Sequence, residues 1–426
     1  MKILNVAKFG TSEVLAEIDG LRSKNNDVSD VVRAILDDVK KRGDVALFEF
    51  SKKFDGIDLD SLSVKREEID LAYSKIDKDV LSALKSAKQN IEKFHSAVLV
   101  RKSKKIVTQA GVKIWREFRP VEKVGLYVPG GRASYPSTVL MLAVPAMIAG
   151  CREAVMCTPC DKRGECNPLV LVAADICGVD KIFKIGGAQA VAAMAYGTES
   201  IPQVYKIFGP GNQYVTTAKM LVYGDVDIDM PAGPSEILVF ADDRANPKFV
   251  AADLLSQLEH GAESQAVLVT YSENFVKKVM NEIGNQISGL SRSGIINDSL
   301  GKSVAVVVEN LDQAVEIINS YAPEHLEIDT IDSEKIVPKI INAGSVFLGK
   351  YSSEPLGDYA TGANHTLPTS GYAKMFSALS CDSFGKTMQI QKVTKRGFEK
   401  LKNTVEILAS QEGLTAHKNS IIIRNV

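Results

Sequence analysis

VGLYVPGG (124–131), EAVMC (153–157), KIFKI (181–185) and QVYKIF (203–208) decide the fold. Each is a short apolar run. The segments between them, 138–149, 168–177, 188–197 and 213–223, carry helical spacing. Strand, helix, strand at this interval predicts right-handed βαβ units on a parallel sheet. A second series follows: EILVFA (236–241), AVLVT (266–270), SVAVVV (303–308) and GSVFL (344–348), with helices over 247–259, 273–288 and 311–320. Met230-Pro231-Ala232-Gly233-Pro234 separates the two series. The fold class is therefore α/β, with two parallel-sheet units.

Outward from these series the texture changes. Upstream, Val31, Ile35, Val39, Ala46, Leu47 and Phe50 recur at helical spacing, and Gly43-Asp44 splits them into two helices. Residues 67–99 read as one long helix with Leu81, Leu84, Ile91 and Phe94 on one side. Residues 1–25 read as a short mixed arm. Downstream, residues 349–371 are rich in Gly, Ser, Pro and Thr and read as a long loop, the kind of segment that often carries function. The chain ends in a helix over 394–410 and a strand, Ser420–Arg424.

At about 150 residues per domain, 426 residues make two to three domains. A net charge of −1 gives no global pull on nucleic acid or anionic lipid, so neither is expected as a partner. Mean hydropathy is −0.00 and no apolar run reaches the ~18 residues of a membrane span. The start, Met1-Lys2-Ile3-Leu4-Asn5, lacks the apolar stretch of a secretory signal. Six cysteines are too few for a disulfide scaffold. These features together predict a cytoplasmic location.

Only five histidines are present, and four have suggestive neighbours. Gln257 and His260 are spaced i, i+3 on a predicted helix, which puts an amide and an imidazole on one face, with Gly261 ending the helix. Glu324-His325 follows Pro323. Adjacent strand residues point to opposite faces, so these two share a site only if the chain bends there. Together they offer two bases for proton transfer. Asp358 and His365 lie in the long loop, and His417 follows Glu412 by five residues. Gln, His, Asp and His would make an N/O ligand set for a borderline metal, although the members are scattered along the chain. Each of these also has a plain reading as a polar helix end, the start of a strand or a solvated loop.

Three glycine turns follow strands and lead into helices: Val128-Pro129-Gly130-Gly131, Gly186-Gly187-Ala188-Gln189 and Gly209-Pro210-Gly211-Asn212. Open α/β sheets bind ligands at such turns. None is a dinucleotide fingerprint, since Tyr214 stands where a third glycine would be needed. Cys157-Thr158-Pro159-Cys160 with Cys166 imitates half a zinc ribbon, but Cys151, Cys177 and Cys381 supply no second pair.

Taken together, the motifs resemble the histidinol dehydrogenase family. The resemblance runs in order through most of the chain: Val31 to Gly56, 124–131, PSTVLMLAVPAMIAG (136–150), 186–197, 209–219, DMPAGPSE (229–236), 253–265, APEHLE (322–327), GDYATGANHTLPT (357–369) and GLTAHKN (413–419). It implies two Rossmann-like domains without the usual fingerprint, and oxidation of L-histidinol to L-histidine by two NAD⁺ per turnover through a bound aldehyde, the last step of histidine biosynthesis. It implies one zinc per subunit on Gln257, His260, Asp358 and His417. It gives Glu324 and His325 the catalytic roles, and adds Ser235, His365 and Glu412 to the zinc and catalytic residues that surround the substrate. Tyr127, Gln189 and Asn212 match NAD contacts. The implied assembly is a homodimer in which the C-terminal segment completes the partner's site, so that Glu412 and His417 act in trans. The implied divisions are an arm (1–25), a discontinuous zinc and catalytic domain (26–126 with 236–379), an NAD domain (127–235) and a dimerisation segment (380–426).

Two departures stand out. Ala262-Glu263 replaces a common Pro-Asp, and Ala363 replaces a common Pro; neither removes a ligand. Competing readings are a related dehydrogenase acting on another amino alcohol or a sulfonated diol, a zinc hydrolase using Glu324, and a non-catalytic binding protein.

Overall fold

The apolar runs become strands in a computed structural model that describes residues 1–22, 27–130 and 135–424. In chain order the strands are β1 (Lys2–Asn5), β2 (Ile106–Gln109), β3 (Val112–Pro120), β4 (Lys123–Tyr127), β5 (Glu153–Thr158), β6 (Lys181–Lys184) and β7 (Lys206–Phe208). They continue with β8 (Asp227–Ile228), β9 (Glu236–Ala241), β10 (Gln265–Thr270), β11 (Val304–Val307), β12 (His325–Asp329), β13 (Ser345–Leu348) and β14 (Gly385–Val393). The chain forms two units, a large one of residues 1–97 and 121–384 and a small one of 98–120 and 385–426.

The large unit holds two parallel sheets, ordered β6-β5-β4-β7-β8 and β1-β11-β10-β9-β12-β13. Counted from β4 in one and β9 in the other, both follow the Rossmann-like order 3-2-1-4-5, and β1 extends the six-stranded sheet past β11. The order reverses between β4 and β7 and between β9 and β12. Helices on both faces bury the central strands completely. This is why β9, β10 and β11 read as unbroken apolar runs rather than alternating ones.

Several expectations are corrected here. The arm carries β1, whose backbone pairs with β11 from Lys2↔Val304 to Asn5↔Val307, so it belongs to the sheet. The expected divisions place the helices Ser29–Arg42 and Asp44–Phe50 in the zinc and catalytic domain. Their apolar faces (Val32, Ile35, Leu36, Val39, Ala46, Leu47) instead share a core with Val155 of β5, Ile207 of β7 and the helix Gly187–Tyr196. The single helix over 67–99 is two, Arg66–Ser74 and Lys78–Val98, because Asp77 begins a new one by accepting from the Leu81 N–H at 3.1 Å. The loop of 349–371 contains a helix, Glu354–Tyr359.

The small unit is an antiparallel sheet, β14-β3-β2, with the helices Lys395–Gln411 and Thr415–Ile422. The expected final strand, Ser420–Arg424, is thus mostly helix. Its backbone bonds are local, Lys418 N–H to Leu414 O and Ile423 N–H to Asn419 O, and the three-stranded sheet closes without it. Among the described residues no helix is long and apolar enough to cross a membrane.

Candidate active site

Glu324 and His325 meet at the amino edge of the six-stranded sheet. The helix Leu311–Tyr321 ends at Ala322, which adopts a left-handed conformation (φ +52°). This is the bend the sequence required: it turns the chain into Pro323 and then into β12. There β12 lies parallel to β9, with His325 opposite Ile237. The main chain of Glu236, the first residue of β9, organises the pair. Its N–H donates to Glu324 Oε2 at 2.8 Å, and its carbonyl accepts from His325 Nδ1 at 3.1 Å. With Nδ1 donating, Nε2 is the ring atom left to gain or release a proton. That atom is buried without a hydrogen-bond partner, 3.6 Å from Asp358 Oδ1. Burial pushes the Glu324 carboxyl up to about 8, against the pull of His325 and the Glu236 N–H. Burial opposes the charge on His325, but the Glu324 and Asp358 carboxylates outweigh it and raise the imidazole to about 10.

Asp358 belongs to the helix Glu354–Tyr359. The Glu354 N–H donates to Glu327 Oε1 on β12 at 2.7 Å, and Ser256 Oγ donates to Glu354 Oε2 at 3.1 Å. These bonds tie the helix to the sheet and to the helix Pro247–Leu258. The latter ends at Leu258, one residue before the expected end, and His260 lies past it, its N–H bonded to the Gln257 carbonyl at 3.3 Å. Ligand-type atoms of His260, Glu354 and Asp358 lie within 4.8 Å of one another. Three residues before His260, the Gln257 amide is fully buried, and among the described residues neither its oxygen nor its nitrogen has a hydrogen-bond partner. A buried unpartnered amide next to a carboxylate and imidazole cluster fits a borderline cation such as zinc. Glu354 escaped the sequence reading. The available signal was an acid four residues before Asp358, next to a Pro that starts a helix.

His365 joins the two sheets' territories. Its Nδ1 lies 3.1 Å from Asp358 O and its Nε2 3.2 Å from Thr138 Oγ1, and burial lowers its pKa. With Ser235 and Glu324 it lines a cavity of about 60 Å³ that extends to Gly209, Pro210 and Asp229.

Those last residues lie at the carboxyl edge of the five-stranded sheet. Gly209 has φ +122°, and a Cβ there would stand 2.0 Å from the Tyr127 carbonyl oxygen, so only glycine closes this switch point. Its N–H donates to Asp229 Oδ2 at 2.7 Å and its carbonyl accepts from Lys219 Nζ at 3.0 Å. Lys219 and Asp229 also form a buried ion pair. The Tyr127 hydroxyl accepts from the Gly187 N–H at 3.1 Å, and the Gln189 amide packs against Gly187. Asn212 is exposed and caps the helix Gln213–Val222 through Oδ1, at 3.0 and 3.2 Å from the Tyr214 and Val215 nitrogens. Gly131 of the first turn lies outside the described residues. Among the described residues no cysteine forms a disulfide, and Cys157 and Cys166 are buried in surroundings that suppress their ionisation. Glu412 and His417 belong to the small unit, where Glu412 ends the helix Lys395–Gln411 and His417 sits on Thr415–Ile422, both exposed.

The family model described as histidinol dehydrogenase matches residues 20–425. The histidinol dehydrogenase of Bacteroides thetaiotaomicron is 50% identical over 424 residues, 99% of both chains. That of Methanosarcina mazei is 46% identical, over 99% of this chain and 97% of its own. The crystal structure of histidinol dehydrogenase from Elizabethkingia anophelis superposes with a TM-score of 0.95 at 43% identity, covering 100% of this chain and 98% of that one. A match of this length and closeness means that the chain belongs to the histidinol dehydrogenase family, NAD-dependent oxidoreductases that oxidise histidinol in histidine biosynthesis.

Proposed function

We propose that this chain carries out the four-electron oxidation of L-histidinol to L-histidine, through bound L-histidinaldehyde, with one zinc per subunit and two NAD⁺ per turnover. The observation that carries the reading is that His325 Nε2 lies 3.6 Å from Asp358, a member of the His260, Glu354 and Asp358 cluster, while Glu324 and His365, the latter bonded to the Asp358 carbonyl, line a small cavity.

Gln257, His260 and Asp358 would hold the zinc, together with His417 of the partner subunit. When bound, the zinc supplies a fixed electrophilic point that orients the substrate's amine and imidazole. His325 takes the alcohol proton at Nε2 during the first oxidation, its tautomer held by the Glu236 carbonyl. Glu324, held by the Glu236 N–H, removes a proton from the water that hydrates the aldehyde. His325 serves again as base in the second oxidation. His365 and Ser235 wall the substrate, and the enclosed site keeps the aldehyde from release. Tyr127, Gln189 and Asn212 contact NAD at the carboxyl edge of the five-stranded sheet, where open α/β sheets place such ligands.

The homodimer is part of the proposal. The small unit leaves Ile407, Leu408, Leu414 and Ile423 exposed, which fits an uncovered interface. In the dimer, Glu412 of the partner subunit would reach the substrate. The enzyme would work in the cytoplasm. NADH formation from limiting L-histidinol, with and without chelator, tests the whole reading. About two NADH per histidinol, lost with chelator and restored by zinc, is the expected result. One NADH per substrate would reduce the chain to an alcohol dehydrogenase, and hydrolysis without NADH would favour a zinc hydrolase.

A further inference from the structure

We infer that Arg22, acting through Glu236, is a positioning residue for the proton-transfer pair. The inference rests on the reading that Glu324 and His325 do the proton chemistry. Both groups depend on the main chain of one residue, since the Glu236 N–H holds the Glu324 carboxylate and the Glu236 carbonyl holds His325 Nδ1. Whatever fixes Glu236 therefore fixes both bases.

The Glu236 side chain is 2% exposed. Its carboxylate accepts one hydrogen bond from the Arg22 guanidinium, Nη2 to Oε2 at 3.2 Å, and Nε stands 2.7 Å from Oε1 as a charge contact. The same guanidinium reaches the other strand of the pair. Nη2 donates to the Tyr321 carbonyl at 2.9 Å, one residue before the Ala322 bend that leads into Glu324. Its plane lies 4.0 Å over the Tyr321 ring. Tyr321 is locked in turn, its hydroxyl donating to Gln265 Oε1 at 2.8 Å. One cation thus ties the start of β9 to the turn that leads into β12, and sets the spacing between the residues these strands carry. A lysine has a single charged point and could not hold the two strands in this geometry.

Arg22 touches neither substrate nor cofactor in this arrangement, so its loss should move kcat and leave cofactor binding alone. The test uses full-length holoenzyme carrying Arg22→Met, which keeps the aliphatic bulk, and Arg22→Lys. For Arg22→Met we expect kcat to fall about 10- to 100-fold, the cost of slightly misplaced reacting groups. KM for NAD⁺ should stay within about twofold and zinc content should not change. Arg22→Lys should fall between Met and wild type. Nitrogen NMR of ¹⁵N-histidine-labelled protein provides a readout independent of turnover: His325 protonated at Nδ1 in wild type, with that signature lost in Arg22→Met. Wild-type kcat in Arg22→Met, a rise in NAD⁺ KM that matches the loss, or a lysine variant no better than methionine would each overturn the inference. Should Arg22→Met not fold, a wild-type kcat and NMR signature in Arg22→Lys would overturn it alone. If the wild type makes no NADH from histidinol, the functional reading fails while the NMR result still decides the positioning role.

Discussion

The two parallel sheets share a strand order and use opposite edges. In the five-stranded sheet the candidate groups stand at the carboxyl ends of β4 and β7, where Tyr127 and Gly209 meet. In the six-stranded sheet they stand at the amino ends of β9 and β12, where Glu236, Glu324 and His325 meet. The carboxyl edge of that second sheet carries Asp242 and Asp329 instead, and each raises the electrostatic cost of a nearby anion such as a pyrophosphate. Strand order locates a crevice; the charge and hydrogen-bonding groups at each edge decide what chemistry it carries. Each edge is also stapled by a buried ion pair. Lys219–Asp229 grips both main-chain polar groups of Gly209, and Arg22–Glu236 anchors the residue whose main chain grips both bases.

Breaking the amino edge should have the largest effect. His325→Asn removes the base for both oxidations, and each should slow by about 10²- to 10⁴-fold. Glu324→Gln should spare the first oxidation and damage the second, because only the aldehyde needs activated water. Single-turnover NADH formation from histidinol and from histidinaldehyde separates the two steps. Equal losses in Glu324→Gln would remove the water-activating role, and a normal rate for either step in His325→Asn would remove His325 from the scheme.

Breaking the carboxyl edge should act on binding. Lys219→Met leaves Asp229 buried without its cation, a change that typically costs about 3–5 kcal/mol of stability. It also frees the Gly209 carbonyl, so KM for NAD⁺ should rise about tenfold with kcat less affected. Urea denaturation and steady-state kinetics measure the two effects on one sample. Loss of stability with an unchanged KM would make the clamp purely structural and weaken the case for NAD at this edge.

This asymmetry also explains what can be read without coordinates. Fully buried parallel strands announce themselves as apolar runs, so both sheets and most of their helices are legible. β14 is not, because its residues are mostly half-exposed or exposed and GKTMQIQKV shows little apolar pattern. β1 escapes because four residues at a sheet edge become a strand only by pairing with β11. The ligand and base types are legible from their rarity and spacing. What stays hidden is the part played by main chain and by distant ion pairs. Nothing local marks Glu236 as the holder of two bases, and its partner Arg22 is 214 residues away. Lys219 and Asp229 look like surface charges until the fold buries them.

The smallest expected effect, and the most specific to the amino edge, is on stability as a function of pH. Burial pushes the Glu236 carboxyl up to about 7, even though the Arg22 guanidinium pulls it down, and Asp19 adds to the upward push. Glu324 and Tyr321 are the other titratable groups facing it. An unfolded carboxyl titrates near 4.5. Between those values the folded chain keeps a proton that the unfolded chain has released. Stability should therefore fall as pH rises through this window, by at most about 1.4 kcal/mol per pH unit. Glu236→Gln cannot titrate and should flatten that part of the profile, so the difference in urea midpoint between variant and wild type should shift in the variant's favour from pH 4.5 to 7. Removing the charge that faces Arg22 offsets the variant's whole curve without changing its slope. Parallel profiles would mean that the ion pair with Arg22, and not burial, governs Glu236.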